Sequence, residues 1–212
     1  MLTFRDLRTQ ADVAEWTAGL QTRYPERTEV MQHLVGQLKA LPFPVPHVVE
    51  LGPGPGLLAE LLLRELPQMY YTGFDSSELL LAYAQNQLAP FGTRARLVHA
   101  DLNAADWLAH LPAEVHAIIS LQAMHDLGDE SHINRVYGLA QRLLTSGGLL
   151  LNADFVVPPG QDNPDQPGRR SIPRHLELLR AHGFERVDCT LELGQFGCVV
   201  GFGPAPAAQT EH

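Results

Sequence analysis

The segment Val48-Val49-Glu50-Leu51-Gly52-Pro53-Gly54-Pro55-Gly56-Leu57-Leu58 constrains what this chain can fold into more than any other. An apolar run ends in an acid, glycines follow at every second position, and an apolar helical pattern starts at Leu57. That order predicts a strand, a tight loop and a helix start. Glycine has no Cβ and tolerates positive φ, so a ligand can come close to such a loop. The first N–H groups of the following helix are unpaired and aim at the same place. Spacing then narrows the ligand. Counted from Glu50, a dinucleotide fingerprint needs glycine at the third, fifth and eighth positions. Here the eighth is Leu57, and the third glycine, Gly56, falls at the seventh. The pattern is GxGxG, not GxGxxG. Pro53 and Pro55 each remove a donor and fix φ at about −65°. A stiff loop that binds through its glycine backbone is expected.

Strand and helix patterns alternate from residue 45 onward. Before that, residues 5 to 20 and 23 to 40 read as two amphipathic helices, carried by Val13, Trp16, Leu20 and by Val30, Leu34, Leu38. Leu41-Pro42-Phe43-Pro44-Val45-Pro46 cannot continue a helix and marks a linker. Strands are predicted over 47–51, 70–74, 95–100, 115–121 and 149–157. Helices are predicted over 56–66, 77–88, 104–110, 131–144 and 172–182, with Gly147-Gly148 as the stop signal of the fourth. Residues 158–168, rich in Pro, Gly, Asn and Asp, read as a binding loop. Residues 184–193 and 196–202, joined by Gly194-Gln195, read as a closing β-hairpin.

The expected fold class is therefore α/β: a doubly wound, mostly parallel sheet with a terminal antiparallel hairpin and two N-terminal helices as a cap. Residues 1–44 form the cap, 45–203 the main domain and 204–212 a flexible tail. In open sheets of this kind ligands bind at the carboxyl ends of the strands.

Composition excludes several classes of partner. A chain of 212 residues with 45% hydrophobic and 18% charged residues suits one globular domain. A net charge of −9, a single lysine (Lys39) and no basic run argue against nucleic acid. Cys189 and Cys198 are too few for a disulfide framework and read as two buried thiols. Apolar stretches are too short to span a membrane. The N-terminus lacks the pattern of a signal peptide, so the cytoplasm is the expected location. The ten histidines are scattered without metal-ligand spacing, and no metal is expected.

Two carboxylates stand at predicted strand ends. Asp75 can accept hydrogen bonds from both hydroxyls of a ribose. Aspartate is also a preferred helix N-cap, but Ser76 or Ser77 can take that part and leave Asp75 for a ligand. Asp101, in Val98-His99-Ala100-Asp101-Leu102-Asn103, reads either as a turn residue or as a contact to an adenine edge.

On four blocks the chain resembles the class I S-adenosylmethionine-dependent methyltransferases. They are Glu50-Leu51-Gly52-Pro53-Gly54-Pro55-Gly56, Gly73-Phe74-Asp75-Ser76-Ser77-Glu78-Leu79-Leu80, His99-Ala100-Asp101-Leu102 and the turn Leu143 to Leu151 containing Gly147-Gly148. His175 to Phe184 is similar to the family's last helix, so the likeness runs over about residues 23 to 203. It implies S-adenosylmethionine as cofactor. It also implies that Glu50 orients the methionine part and that Gly52, Gly54 and Gly56 pass under methionine and ribose. Asp75 and Ser76 would hold the ribose, and Asp101 and Leu102 the adenine. Ser120, Leu121 and Gln122 would face the sulfonium.

Candidates beyond the cofactor follow. His125, in Gln122-Ala123-Met124-His125-Asp126-Leu127, stands where acceptor and methyl donor would meet. Its near-neutral pKa suits a general base; packing against the next helix is the competing reading. Tyr24 and Arg27 precede the second helix, and Tyr24 is a candidate for substrate or for the cofactor's carboxylate. Arg169, Arg170 and Arg174 flank the last helix, where cations oppose the helix dipole, and could hold an anionic substrate.

The leading reading is methyl transfer to a small-molecule acceptor. Two others stand beside it: an NAD-dependent oxidoreductase, which Leu57 opposes, and a cofactor-binding regulatory protein without catalysis. The acceptor atom and the oligomeric state are not legible in the sequence.

Overall fold

The computed structural model describes residues 3–165 and 167–204. Seven strands form one sheet: β1 (His47–Leu51), β2 (Tyr70–Asp75), β3 (Ala95–His99), β4 (Val115–Leu121), β5 (Leu144–Phe155), β6 (Glu185–Leu193) and β7 (Phe196–Phe202). Their order is β3-β2-β1-β4-β5-β7-β6. The first five pair in parallel, and β7 lies antiparallel to both β5 and β6. Among the described residues seven α-helices accompany them: α1 (Gln10–Ala18), α2 (Leu20–Arg23), α3 (Arg27–Lys39), α4 (Leu57–Glu65), α5 (Glu78–Leu88), α6 (Glu130–Leu143) and α7 (Ile172–Ala181).

The central strands are apolar on both faces, as a sheet covered by helices requires. Alternation divides them. Val48, Ala117, Ile119, Leu149, Leu151, Cys198 and Val200 pack with Leu34 and Leu38 of α3 and Leu58 and Leu62 of α4. Val49, Ile118, Leu150 and Val199 point the other way, toward Ile133, Val136 and Tyr137 of α6 and Leu178 and Leu179 of α7. Cys189 packs in this second layer and Cys198 in the first, so the two thiols lie on opposite faces of the hairpin and both are free.

The order places a switch point between β1 and β4. The chain winds outward from β1 through β2 to β3, then returns to β4 on the other side. The chain after β1 and after β4 goes to opposite faces of the sheet, in α4 and α6, and a crevice opens beside the two loops at the carboxyl ends.

Local chemistry moves several expected boundaries. The first helix begins at Gln10 because Thr9 and Asp12 form a capping box: the Thr9 hydroxyl accepts from the Asp12 N–H at 3.1 Å, and the Asp12 carboxylate accepts from the Thr9 N–H at 2.8 Å. Residues Phe4–Asp6 form a separate 3-10 turn. The helix expected from 23 starts at Arg27, because Pro25 pushes Tyr24 out of the helical region, at φ −134° and ψ 75°. The pair Gly147-Gly148 does not end α6. It sits inside the lead-in to β5, where Gly147 has φ +79° and a Cβ on Gly148 would lie 2.7 Å from the His116 carbonyl oxygen. That lead-in carries the register shift between Val115 and Ala117. The tail from 205 onward lies outside the described residues.

Candidate functional site

The loop after β1 builds the site, and its three glycines have three different reasons to be there. All have positive φ, +73° at Gly52, +55° at Gly54 and +82° at Gly56. The Gly52 N–H donates to the Phe74 carbonyl at 2.9 Å, and a Cβ there would stand 2.4 Å from the Ala123 Cβ. Gly52 lets the β1 and β4 loops touch. At Gly56 the space of a Cβ is taken by Ala84 of α5, 3.0 Å away, so this glycine serves helix packing and faces neither cavity described below. Only at Gly54 is the position of a Cβ open, with nothing within 4 Å, and there the backbone faces the crevice.

The Gly54 N–H donates to Asp75 Oδ2 at 2.9 Å, and the Ser77 N–H donates to Asp75 Oδ1 at 2.9 Å. Ser77 is the N-cap of α5, its hydroxyl accepting from Leu80 at 3.3 Å. Asp75 is thus relieved of capping but ties two loops together. A carboxylate has about four acceptor positions; these two bonds, with a weaker pull from the Ser76 N–H, still leave room for a ligand hydroxyl. Burial raises the Asp75 pKa, against the opposing pull of the Ser77 and Gly54 N–H bonds.

Asp75 and Ser76 wall a cavity of about 250 Å³ with Phe74, Asp101, Leu102 and Asn103. Leu102 is buried, and Asp101 makes the local turn considered for it, accepting from the Asn103 N–H at 2.8 Å. Gly52, Gly54, Gln122, Phe4, Trp16 and Asp126 line both this cavity and a second one of about 390 Å³. The second reaches Tyr24, Arg27, Leu121, His125, Phe155 and Arg169. The crevice is therefore one trough in two chambers, with the glycine loop as its shared floor. An open glycine backbone, a carboxylate with spare acceptor positions and an apolar leucine wall fit an adenosine in the first chamber.

Gln122 turns the chain at the end of β4 with φ +58°, a left-handed conformation rare outside glycine. Two bonds hold it: its N–H donates to the Ala153 carbonyl at 2.9 Å, and its side-chain oxygen accepts from Arg27 Nε at 2.7 Å. Arg27 begins α3 yet is buried. Burial lowers its pKa to about 10, with the Glu50 carboxylate pulling the other way. Glu50 is 1% exposed and lines neither cavity. The Tyr71 hydroxyl donates to its Oε2 at 2.6 Å. Burial raises the Glu50 pKa to about 7 against the pull of Tyr71 and Arg27. Ser120 likewise lines neither cavity; it is buried, and its hydroxyl has no partner among the described residues.

His125 lies in the second chamber. Its N–H donates to Asp154 Oδ2 at 2.9 Å, and its Nδ1 is 2.6 Å from Asp154 Oδ1. Nε2 is 3.4 Å from Asp126 Oδ2. Burial alone would lower the His125 pKa, but the hydrogen bond and charge of buried Asp154, helped by Asp126, raise it overall. Asp154 was not among the sequence candidates. Its signal was a lone acid in the apolar run Leu149 to Val157, two residues after Asn152 and so on the same strand face. Phe155, Trp16 and Asp126 are also cleft residues beyond those candidates.

The three arginines separate. Arg169 reaches the second chamber. Arg170 does not; it is 1% exposed, donates to the carbonyls of Gly168 and Arg169, and lies 3.4 Å from Glu130 Oε2. Arg174 holds the same Glu130 through bonds of 2.9 and 2.6 Å. The expectation that Arg170 and Arg174 hold substrate is therefore corrected. Glu130, at the start of α6, draws both toward the body of the protein.

A sequence family described as a methyltransferase domain matches residues 48–148. Trans-aconitate 2-methyltransferase of Acidovorax ebreus (strain TPSY) is 34% identical over 161 residues, 74% of this chain and 54% of that protein. The chain spans about half the length of the curated relatives it matches. An O-methyltransferase family protein from Burkholderia thailandensis superposes with a TM-score of 0.67 at 18% identity, over 94% of this chain and 64% of that one. Human N-acetylserotonin methyltransferase, solved in complex with S-adenosylmethionine, superposes with a TM-score of 0.68 at 17% identity, over 93% and 57% of the two chains. Such identities speak for the fold. The matched domain, which runs from the glycine loop to the start of β5, supports placing the chain among the class I S-adenosylmethionine-dependent methyltransferases.

Proposed function

We propose that this chain transfers a methyl group from S-adenosylmethionine to a small-molecule acceptor. The observation that carries the reading is the two-chambered trough: an adenosine-sized chamber at Asp75 and Leu102 opens across Gly52 and Gly54 onto a chamber holding His125. The cofactor supplies a methyl group on a positively charged sulfur, which leaves as a neutral thioether. The protein's own part is to bind, align and accept a proton. Asp75 takes the ribose hydroxyls and Leu102 covers the adenine. Gly54 lets the backbone lie against the ligand, and Arg27 keeps Gln122 in its turn. With Asp154 holding Nδ1, His125 presents Nε2 to the chamber and takes the proton of an acceptor O–H as its oxygen forms the new bond to carbon. Residues 1–44 act as a cap over residues 45–203, with Trp16 and Tyr24 closing the trough from above. Small acceptors fit this enclosure. The relatives named for trans-aconitate support the same size class. Among the described residues no helix is long and apolar enough to cross a membrane.

Calorimetric titration with S-adenosylhomocysteine tests the reading, with NAD as the control ligand. S-adenosylhomocysteine should bind and NAD should not. Asp75→Ala should weaken binding at least ~10-fold, since it removes hydrogen bonds to a charged acceptor. Stabilisation of the melt by NAD alone would instead favour a dinucleotide enzyme.

A further inference from the structure

The second chamber has a charge balance opposite to that of the chain. The protein carries a net charge of −9. Yet three arginines, Arg23, Arg27 and Arg169, line this chamber against one carboxylate, Asp126. Asp126 is already engaged, 3.4 Å from His125 Nε2 and 3.8 Å from Arg5. Arg27 is bonded to Gln122, and the Glu50 carboxylate favours its charge from nearby. Arg169 is different. Its guanidinium lies over the Phe155 ring, 4.4 Å from the centroid, and donates to the neutral Gln195 side chain at 3.3 Å. No carboxylate stands within ion-pair distance of it among the described residues.

The placement also has a direction. Phe155 packs against the His125 ring at 5.4 Å and against Tyr24 at 5.0 Å. One aromatic ring thus carries the cation on one side and borders the imidazole on another. Arg169 is close enough to His125 for its charge to oppose protonation of the imidazole. A ring face holds a guanidinium flat and leaves its edge free to bind a planar anion with two parallel hydrogen bonds. Arg169 itself is solvent-exposed, so its selectivity rests on this geometry rather than on desolvation.

We infer that the acceptor is a small hydroxy acid whose carboxylate is held by Arg169 against Phe155 while its hydroxyl faces His125. This rests on the methyl-transfer reading and narrows it. The carboxylate is the anchor, and the methyl goes to the hydroxyl oxygen. The oxygen lone pair forms the C–O bond, the electrons of the S–CH₃ bond stay on sulfur, and the hydroxyl proton passes to His125 Nε2.

The test measures binding to the full chain saturated with S-adenosylhomocysteine, using a panel of small hydroxy acids, aliphatic and aromatic, each paired with its primary amide. Acids that bind should do so about 10- to 100-fold more tightly than their amides, the range of a charge-assisted hydrogen-bonded contact. Arg169→Gln should remove that preference and leave affinity for S-adenosylhomocysteine unchanged. Acids and amides binding alike, or no acid binding at all, would overturn the inference and leave the methyl-transfer reading standing. If Arg169→Gln weakens S-adenosylhomocysteine as much as the acids, Arg169 holds the cofactor's own carboxylate and the inference also fails. Failure of S-adenosylhomocysteine to bind the unaltered protein overturns both. For any acid that turns over, the product should be an ether, stable to mild alkali; an alkali-labile methyl ester would make the carboxylate the acceptor and overturn its role as anchor.

Discussion

Replacing His125 with asparagine is expected to lower kcat on a hydroxyl acceptor by about 10²- to 10⁴-fold, the usual contribution of a positioned general base. Affinity for S-adenosylhomocysteine should change little, because the chamber proposed for its adenosine, at Asp75 and Leu102, does not include His125. The pH profile is the sharper readout. A base must be deprotonated to act, and the pairing with Asp154 raises the His125 pKa above its ordinary 6.5. The acid limb of kcat/KM should therefore fall above 6.5. Asp154→Asn removes the charge that favours the imidazolium, so the limb should move to lower pH while the plateau drops. Stability runs the opposite way. A histidine whose folded pKa is raised contributes stability that is fully present below the unfolded value of about 6.5. That contribution fades as pH rises through the raised folded value, so the unaltered protein should lose this stabilisation over the range in which it gains activity. A His125→Asn variant with full kcat and only a lower melting temperature would assign His125 to packing instead.

Gly52→Ala is expected to damage the protein itself. The new Cβ would lie 2.4 Å from the Ala123 Cβ, on backbone at φ +73°. Left-handed strain and overpacking each cost about 1–3 kcal/mol. For a domain of this size a loss of about 2–4 kcal/mol lowers Tm by roughly 5–15 °C. Gly54→Ala makes the informative contrast, since its Cβ would meet nothing within 4 Å and would project into the trough. That variant should carry only the left-handed strain at φ +55°, melt above Gly52→Ala and bind S-adenosylhomocysteine more weakly. Equal melting of the two variants would show that the β1 and β4 loops separate without cost, and the crevice would need another account.

The contrast between these glycines shows where sequence reading stops. GxGxG announced close approach of something to the backbone, and all three positions do require positive φ. What approaches differs at each: the β4 loop at Gly52, open space at Gly54 and helix α5 at Gly56. A spacing pattern carries the backbone conformation but not the identity of the neighbour. Glu50 teaches the same lesson. Its place at a strand end was legible, whereas its engagement with Tyr71 and Arg27 depends on residues 21 and 23 positions away.

Boundaries were legible where local chemistry dominates. The apolar runs of β1 and β4 coincide with the observed strands, because burial on both faces leaves little choice of where a strand starts. Helix starts were less so. Thr9 and Asp12 delay α1, and Pro25 delays α3, although these signals are short and local. Hydrophobic periodicity extends past them and by itself points to earlier starts. Trp16 fitted that periodicity as a core position but walls the trough, half-buried, because α1 packs over the strand ends.

By itself the sequence determined the layered α/β order, the glycine turn and the carboxylate at the end of β2, because each follows from residues adjacent in the chain. Tertiary contacts alone set which of the neighbouring arginines faces the second chamber. Arg169 and Arg170 are neighbours with the same side chain, yet one rests on Phe155 at the trough and the other is buried beside Glu130. That choice comes from partners brought near by folding, Phe155 on β5 and Glu130 on α6. Electrostatic and stacking energies depend on distance through space, and chain spacing does not encode it.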